Sequence, residues 1–491
     1  MLGSLILLWI SFCLLFFLFR TQRPKNFPPG PRPVPVFGNL LQLNLINPIN
    51  DLQKLAERYG KVFSLYIGSR PAVVVSGVQA MKEALVTRSV EFAGRPQDLM
   101  INHITKSKGV ILANYGPGWT EHRRFALMTL RNFGLGKHSM EERILGETRH
   151  ISSCLEKNAG KSMVPHHLFS NATSDIICSV IFGSRYEHED EVFQALITKI
   201  EELTKIANGP WAMLYDTLPL LRSLPLPFRK AFRNYNSMRE HVLGIVNQHK
   251  TTRIPGQPRD LTDCYLDELE KRGESGSSFD ESQMVALLLD LLLAGTDTTS
   301  NTLLAAFLYL MTHQDVQKGC QREIDAVLGE KEQASYEDRH RMPYVQAVIH
   351  EVQRVADTVP LSVFHATTKD TQLMGYDIPK GTLIIPNLSS VLNEESQWKF
   401  PHDFNPENFL NQQGEFVKPE AFMPFSVGPR MCLGEGLARM ELFLILVTLL
   451  RRFQFVWPED GGVPDYTPVF GSTQTPKPYR LCVRLRGTQR G

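Results

Sequence analysis

The chain opens on an uninterrupted apolar run: Leu2 to Phe19 carry no charge, and Arg20, Arg23 and Lys25 follow at once. At 1.5 Å per residue, a helix of that length crosses most of a hydrocarbon core about 30 Å thick. There is no basic start and no small-x-small cleavage site ahead of the cations. The pattern therefore predicts a retained anchor over residues 1–20 rather than a cleaved leader, with the following chain on the cytoplasmic side. Periodicity then stops at Pro28, Pro29, Pro31, Pro33 and Pro35, so residues 21–39 read as a basic, proline-rich hinge with a stiff, extended course. Residues 61–77 predict two strands about a Gly-Ser-Arg-Pro turn, and residues 382–390 and 479–486 predict further strands. The longest helical signal runs from Asp280 to His313, where Asp280 and Gln283 resemble a capping box. Asp290, Asp297 and four threonines between 296 and 302 interrupt its apolar character, which predicts a buried central helix and not a second span. A second apolar helix should follow the glycine-punctuated loop 425–434.

The fold class expected is mostly α with minor β (α+β). A length of 491 residues would allow several domains, but no second linker appears, so residues 40–491 read as one large domain. With 43% apolar residues there is ample material for a core. A net charge of +2, together with the anchor, excludes a soluble nucleic-acid binder. Seven cysteines at 13, 154, 178, 264, 320, 432 and 482 include no C-x-x-C pair. That odd, wide spacing argues against a disulfide framework, a structural zinc site and covalent c-type haem attachment, and it fits a reducing compartment. On the cytoplasmic side, the sequons at Asn171 and Asn387 would stay unmodified.

Candidate chemistry gathers at a few places. Cys432 stands just before an apolar helix, where the dipole and unpaired N–H groups favour a thiolate. Gly428 and Gly434 permit close approach to the backbone, Phe425 can shield the sulfur, and Arg430 can set a positive charge beside it. A buried, inert cysteine in a turn is the plain alternative. On the long helix, Ala294 and Gly295 leave room for a flat group, and Asp297 and Thr298 can pass protons, unless these polar groups only bond back to their own helix. Glu351 and Arg354 are three apart on a helix and can pair, as can many exposed residues of no consequence. Trp119 and Arg123 share a helical face. Asp290 lies on nearly the same face as Asp297, either bordering a substrate space or satisfied by loop N–H groups.

The string FSVGPRMCLG, residues 425–434, matches F-x-x-G-x-R-x-C-x-G at every fixed position, and AGTDTT at 294–299 resembles an oxygen-activation motif. With the proline hinge, W-x-x-x-R at 119–123 and E-x-x-R at 351–354, five signatures occur in the order of one family. By these motifs the chain resembles a microsomal cytochrome P-450 of family two, nearest the D subfamily. The resemblance implies the cytochrome P-450 fold and haem b (iron protoporphyrin IX), with Cys432 as axial thiolate and metal ligand. It implies Asp297 and Thr298 as catalytic proton-relay residues, and Arg430, Trp119, Arg123, Arg95 and His365 around the haem propionates. Phe425 and Gly434 complete the cofactor loop, and Glu351–Arg354 becomes a buried ion pair supporting it. Asparagine stands at Asn408, where the family usually has an arginine that joins this pair.

The implied activity is insertion of one oxygen atom from O2 into small lipophilic substrates: xenobiotics, fatty acids, steroids or amines. NADPH electrons would come from NADPH-cytochrome P-450 reductase, with cytochrome b5 as a second candidate donor, at the endoplasmic reticulum membrane. Arg124, Arg131 and Lys137 offer a basic dock for an acidic partner, or simply a solvated face. A haem-thiolate isomerase or dehydratase would dispense with the acid–alcohol pair, and a non-catalytic haem or lipid binder would show decay in the cysteine loop. Neither feature is present.

Overall fold

The computed structural model describes residue 11 and residues 23–133, 138–186, 190–207, 209–273 and 277–487. The anchor expected over residues 1–20 lies outside these apart from Ser11, as does Lys137. Among the described residues no helix is long and apolar enough to cross a membrane.

The helix Glu281–Thr312 forms the axis of the molecule. It is apolar on nearly every side and correspondingly buried along most of its length, as an all-round apolar helix in a large core must be. Asp280 caps it by accepting from Gln283 N at 2.7 Å. The reciprocal half of the expected capping box is not made. Gln283 instead exchanges two hydrogen bonds with Gly109, whose N–H it accepts and whose carbonyl it reaches at 3.0 Å. Helix His166–Ile181 crosses the axis so closely that a Cβ at Gly295 would stand 2.8 Å from Ile177. Thr173 Oγ1 donates to Thr296 O at 2.8 Å in the same crossing. Gly295 is therefore a helix-crossing residue, and only its neighbour Ala294 opens onto interior space.

A four-stranded sheet lies to one side, in the order Val62–Ile67, Arg70–Ser76, Leu383–Asn387, His365–Ala366. The first pair is antiparallel with Ile67 opposite Arg70, so the turn is Gly68-Ser69 and Pro71 sits within the strand. The second pairing is parallel, from Ala72 beside Leu383 to Ser76 beside Asn387. Asn387 is buried and caps the helix that follows, which bars a glycan there in the folded state. The strand expected near the carboxyl end forms over Cys482–Leu485 against Phe453–Val456.

The proline segment is not a free spacer. Ser64 N donates to Pro29 O at 2.7 Å, and Asn39 N donates to Tyr66 O at 2.7 Å. Arg23 bonds to Ser64 Oγ and Pro31 O, and Phe27 is buried. Prolines keep their carbonyls, so a run lacking N–H donors still docks as an acceptor edge.

Candidate functional site

Residues 425–432 form a turn closed by Cys432 N donating to Phe425 O at 2.9 Å. Gly428 occupies the left-handed region at φ +79°, and a Cβ there would fall 1.9 Å from Leu85 O, so only glycine fits. Gly434 differs: its φ is −89°, and an added Cβ would meet only Cys432 Sγ, at 3.9 Å. What glycine preserves at 434 is room beside the sulfur. Cys432 is accessible by surface area although protein surrounds it, so it faces an internal space. Burial pushes the thiol up, against the N–H groups of Gly434 and Glu435, which lower it. The thiolate expected from the helix terminus thus loses to desolvation, and a bound cation is what would stabilise it. Phe425 lies under the Arg439 guanidinium at 5.3 Å.

Three guanidiniums border the same region. Arg95 donates to Ile111 O and to Val363 O and Phe364 O, at 2.8 to 2.9 Å, and its Nη2 has no protein partner among the described residues. Arg430 donates to Ala93 O at 2.9 Å and Ala113 O at 2.8 Å while stacking 3.9 Å over the Trp119 ring. Arg123 ties its helix, Pro117–Phe133, to Met431 O of the cysteine loop. None of the three pairs with a carboxylate among the described residues. Burial, then mutual repulsion, pulls Arg95 to about 9 and Arg430 to about 8. A buried cluster of like charges persists only where an anion balances it, so these residues fit a group bearing carboxylates. The Trp119 indole N–H is already committed to Val110 O at 2.9 Å, which makes Trp119 a platform for the arginines rather than a donor to the anion. His365 Nδ1–H donates to Phe92 O at 2.7 Å, and burial followed by the Arg95 charge holds the ring well below its usual range. As a neutral ring it keeps Nε2 as an acceptor, so it donates to a carboxylate only once the arginines are balanced.

On the central helix, Thr298 Oγ1 bonds back to Ala294 O at 2.9 Å, yet both residues are partly open in a helix otherwise packed away. The Asp297 carboxylate accepts from Thr473 Oγ1, and its pKa is raised, chiefly by burial, with Thr473 and the His166 charge acting in the opposite sense. Thr473 carries no motif and was not visible in the sequence. Nor was Glu441, whose buried carboxyl faces Thr299 and joins the cysteine helix Glu435–Arg452 to the central one. Asp290 is held by the loop 110–111 through one oxygen: its Oδ2 accepts from Val110 N at 2.6 Å and Ile111 N at 2.9 Å.

Glu351 and Arg354 form a bidentate pair at 2.7 and 2.8 Å, both wholly buried in helix Pro343–Ala356. Arg354 also donates to Leu392 O, Phe400 O, Pro401 O and Asp403 O. Asn408 donates to both Glu351 oxygens at 3.1 and 3.3 Å and accepts from Phe400 N. The network is thus one cation, one anion and one neutral amide, which leaves no net charge to bury.

A family model described as Cytochrome P-450 matches residues 28–483. The chain is 44% identical to cytochrome P-450 2D10 of Mus musculus over 492 residues, 99% of this chain and 98% of that protein. It is 44% identical to cytochrome P-450 2D3 of Rattus norvegicus, covering 97% of each. It is 42% identical to cytochrome P-450 2F2 of Rattus norvegicus, covering 98% of this chain and 99% of that protein. Relatives of the D and F subfamilies stand at nearly equal identity, so the likeness is to family two as a whole. The accessible cysteine in its glycine turn, the uncompensated arginines and these full-length matches agree: the chain belongs to the cytochrome P-450 family, the haem-thiolate monooxygenases that use haem b, O2 and NADPH-derived electrons.

Proposed function

We propose that this chain oxidises small lipophilic molecules at a site built by Cys432, Arg95, Arg123, Arg430, Ala294 and Thr298. The observation that carries the reading is a cysteine facing internal space beside the buried guanidiniums of Arg95 and Arg430 and the half-buried one of Arg123, none with an anion among the described residues. Bound there, haem b supplies the iron at which O2 is activated. Cys432 would hold that iron through its sulfur, and the room beside Gly434 would admit a flat group. Arg95, Arg123 and Arg430 neutralise its two carboxylates, while Trp119 fixes two of those guanidiniums by stacking. Thr298 presents a hydroxyl where the central helix is partly open. Asp297, whose carboxyl pKa burial raises and which accepts from Thr473, would hand protons inward through that hydroxyl. The apolar walls of the central helix exclude water and take uncharged substrate.

Electrons are delivered by NADPH-cytochrome P-450 reductase, with cytochrome b5 as a second donor, on the face of helix Pro117–Phe133. There Arg124 and Arg131, two turns apart, are exposed with no acidic partner among the described residues. Membrane attachment at the endoplasmic reticulum is supported by the run Leu2–Phe19 and by a second feature. Phe37 on the docked proline segment and Leu41 and Ile46 just after it are exposed, and so are Trp211, Leu220 and Leu224, while Thr217 packs beside Gly68 and Val36. Apolar side chains left bare side by side fit a lipid surface.

The test is turnover of purified protein with reductase, NADPH and a mixed panel of amines, steroids and fatty acids under labelled O2. One labelled oxygen atom per product establishes the reading and names the substrate class. A normal reduced carbon monoxide complex with no labelled product from any panel member means either that the panel misses the substrate or that the isomerase or dehydratase alternative holds.

A further inference from the structure

Away from the cysteine, His166 and His167 open the helix His166–Ile181, and Glu201 stands on the neighbouring helix Glu191–Ala207. One ligand atom from each of the three lies within 4.8 Å of the other two. Neither imidazole makes a hydrogen bond among the described residues; the rings only meet edge to face at 5.4 Å. Glu201 Oε1 is buried with no hydrogen-bond partner. A buried carboxylate oxygen that accepts nothing is costly, and a cation removes that cost. The other cluster of this composition, His249, Asp260 and Asp263, is different in kind. There His249 bonds to Ile245 O and Asp260, Asp260 caps a helix, and Asp263 pairs with Arg259, so every ligand atom already has a hydrogen-bond partner.

We propose that His166, His167 and Glu201 form a zinc site, with water as fourth ligand, that regulates the monooxygenase. Two imidazoles and one carboxylate are a zinc-type donor set, and hard cations such as magnesium and calcium prefer oxygen alone. Zinc–ligand bonds near 2.0–2.1 Å require the three atoms to close by roughly 1 Å. His167 is exposed and Glu201 only half-buried, so side-chain rotation supplies that movement. The helix dipole opposes a cation at this end, but it is a weak, partly screened effect beside three coordinate bonds. Regulation follows from position: His166 opens the helix whose Thr173 donates to Thr296 O at 2.8 Å, one residue before Asp297, and its charge acts on that carboxyl. A divalent ion on His166 would hold Asp297 as carboxylate and impede proton delivery without entering the substrate space.

Chelator-treated holoenzyme titrated calorimetrically with zinc chloride should bind one ion, in the micromolar range. His167→Asn and Glu201→Gln should each weaken binding by about tenfold or more, with the haem absorption spectrum and zinc-free turnover unchanged. Zinc should lower kcat with little change in KM in the unaltered enzyme and not in H167N. Absence of saturable binding, or affinity unchanged in both variants, overturns the site. Binding that leaves kcat unaffected, or inhibition that persists in H167N, overturns the coupling to Asp297.

Discussion

Burial lifts the Glu441 carboxyl from its ordinary 4.5 to about 8, and lifts Asp290 and Asp357 to about 7. The folded chain therefore holds protons that the unfolded chain has released, from the ordinary carboxylate range up to those values. Stability falls as pH rises through that window. Glu441→Gln should raise the thermal midpoint more at pH 8 than at pH 5; an equal shift at both would show that this carboxyl does not titrate there. Asp290 belongs to the same group but acts on its surroundings. It pins the N–H groups of Val110 and Ile111, and Val110 O receives Trp119 and, at 3.4 Å, Arg430. Asp290→Asn should weaken haem retention by about tenfold, the scale of one or two buried hydrogen bonds. It should depress binding of amines and neutral substrates alike. A loss confined to cationic amines, measured by spectral titration, would instead place the carboxylate against substrate.

Between elements, the decisive contact is the one the Glu351–Arg354 pair of helix Pro343–Ala356 makes with the irregular stretch 392–408. Arg354→Leu leaves Glu351 charged and buried, still held by Asn405 N and Asn408. A stranded charge of that kind costs about 3–5 kcal/mol. The variant should lose its normal reduced carbon monoxide spectrum at temperatures the parent tolerates. The E-x-x-R spacing made the pairing legible, but the acceptors come from Leu392, Phe400, Pro401 and Asp403, an irregular stretch with no periodicity to read. The central helix was legible for the opposite reason, since its long apolar register and its cap at Asp280 are local properties. Gly295 was misread because a small residue serves equally for a cofactor or a crossing helix, and only the position of Ile177 decides.

For the molecule as a whole, the cysteine loop and four further motifs in order implied the family, because each is a contiguous or closely spaced string. The arginine cluster was recoverable only through resemblance: Arg95, Arg123 and Arg430 lie far apart in sequence and meet through tertiary packing. Thr473 and Glu441, drawn in by that packing, left no signal. Molecular scale also governs electron delivery. Arg124→Glu with Arg131→Glu should slow reduction by reductase several-fold at low salt and much less at high salt, since exposed charges are screened beyond about 10 Å at 0.1 M. Rates independent of ionic strength would remove this face as the dock.

Arg354 has a further consequence, for how the native protein opens. Its guanidinium gathers carbonyls from residues 392–403, a segment of turns and bends without strand or long helix. Such segments ordinarily fluctuate open at little free-energy cost. This one cannot leave without stranding a charge in the core, so its opening is bound to global unfolding. Amide hydrogen exchange should find Phe400 and Asn408, whose N–H groups bond within the network, among the slowest outside the helices. The segment leading to Cys432 then behaves as part of the most resistant unit of the fold, despite its irregular backbone.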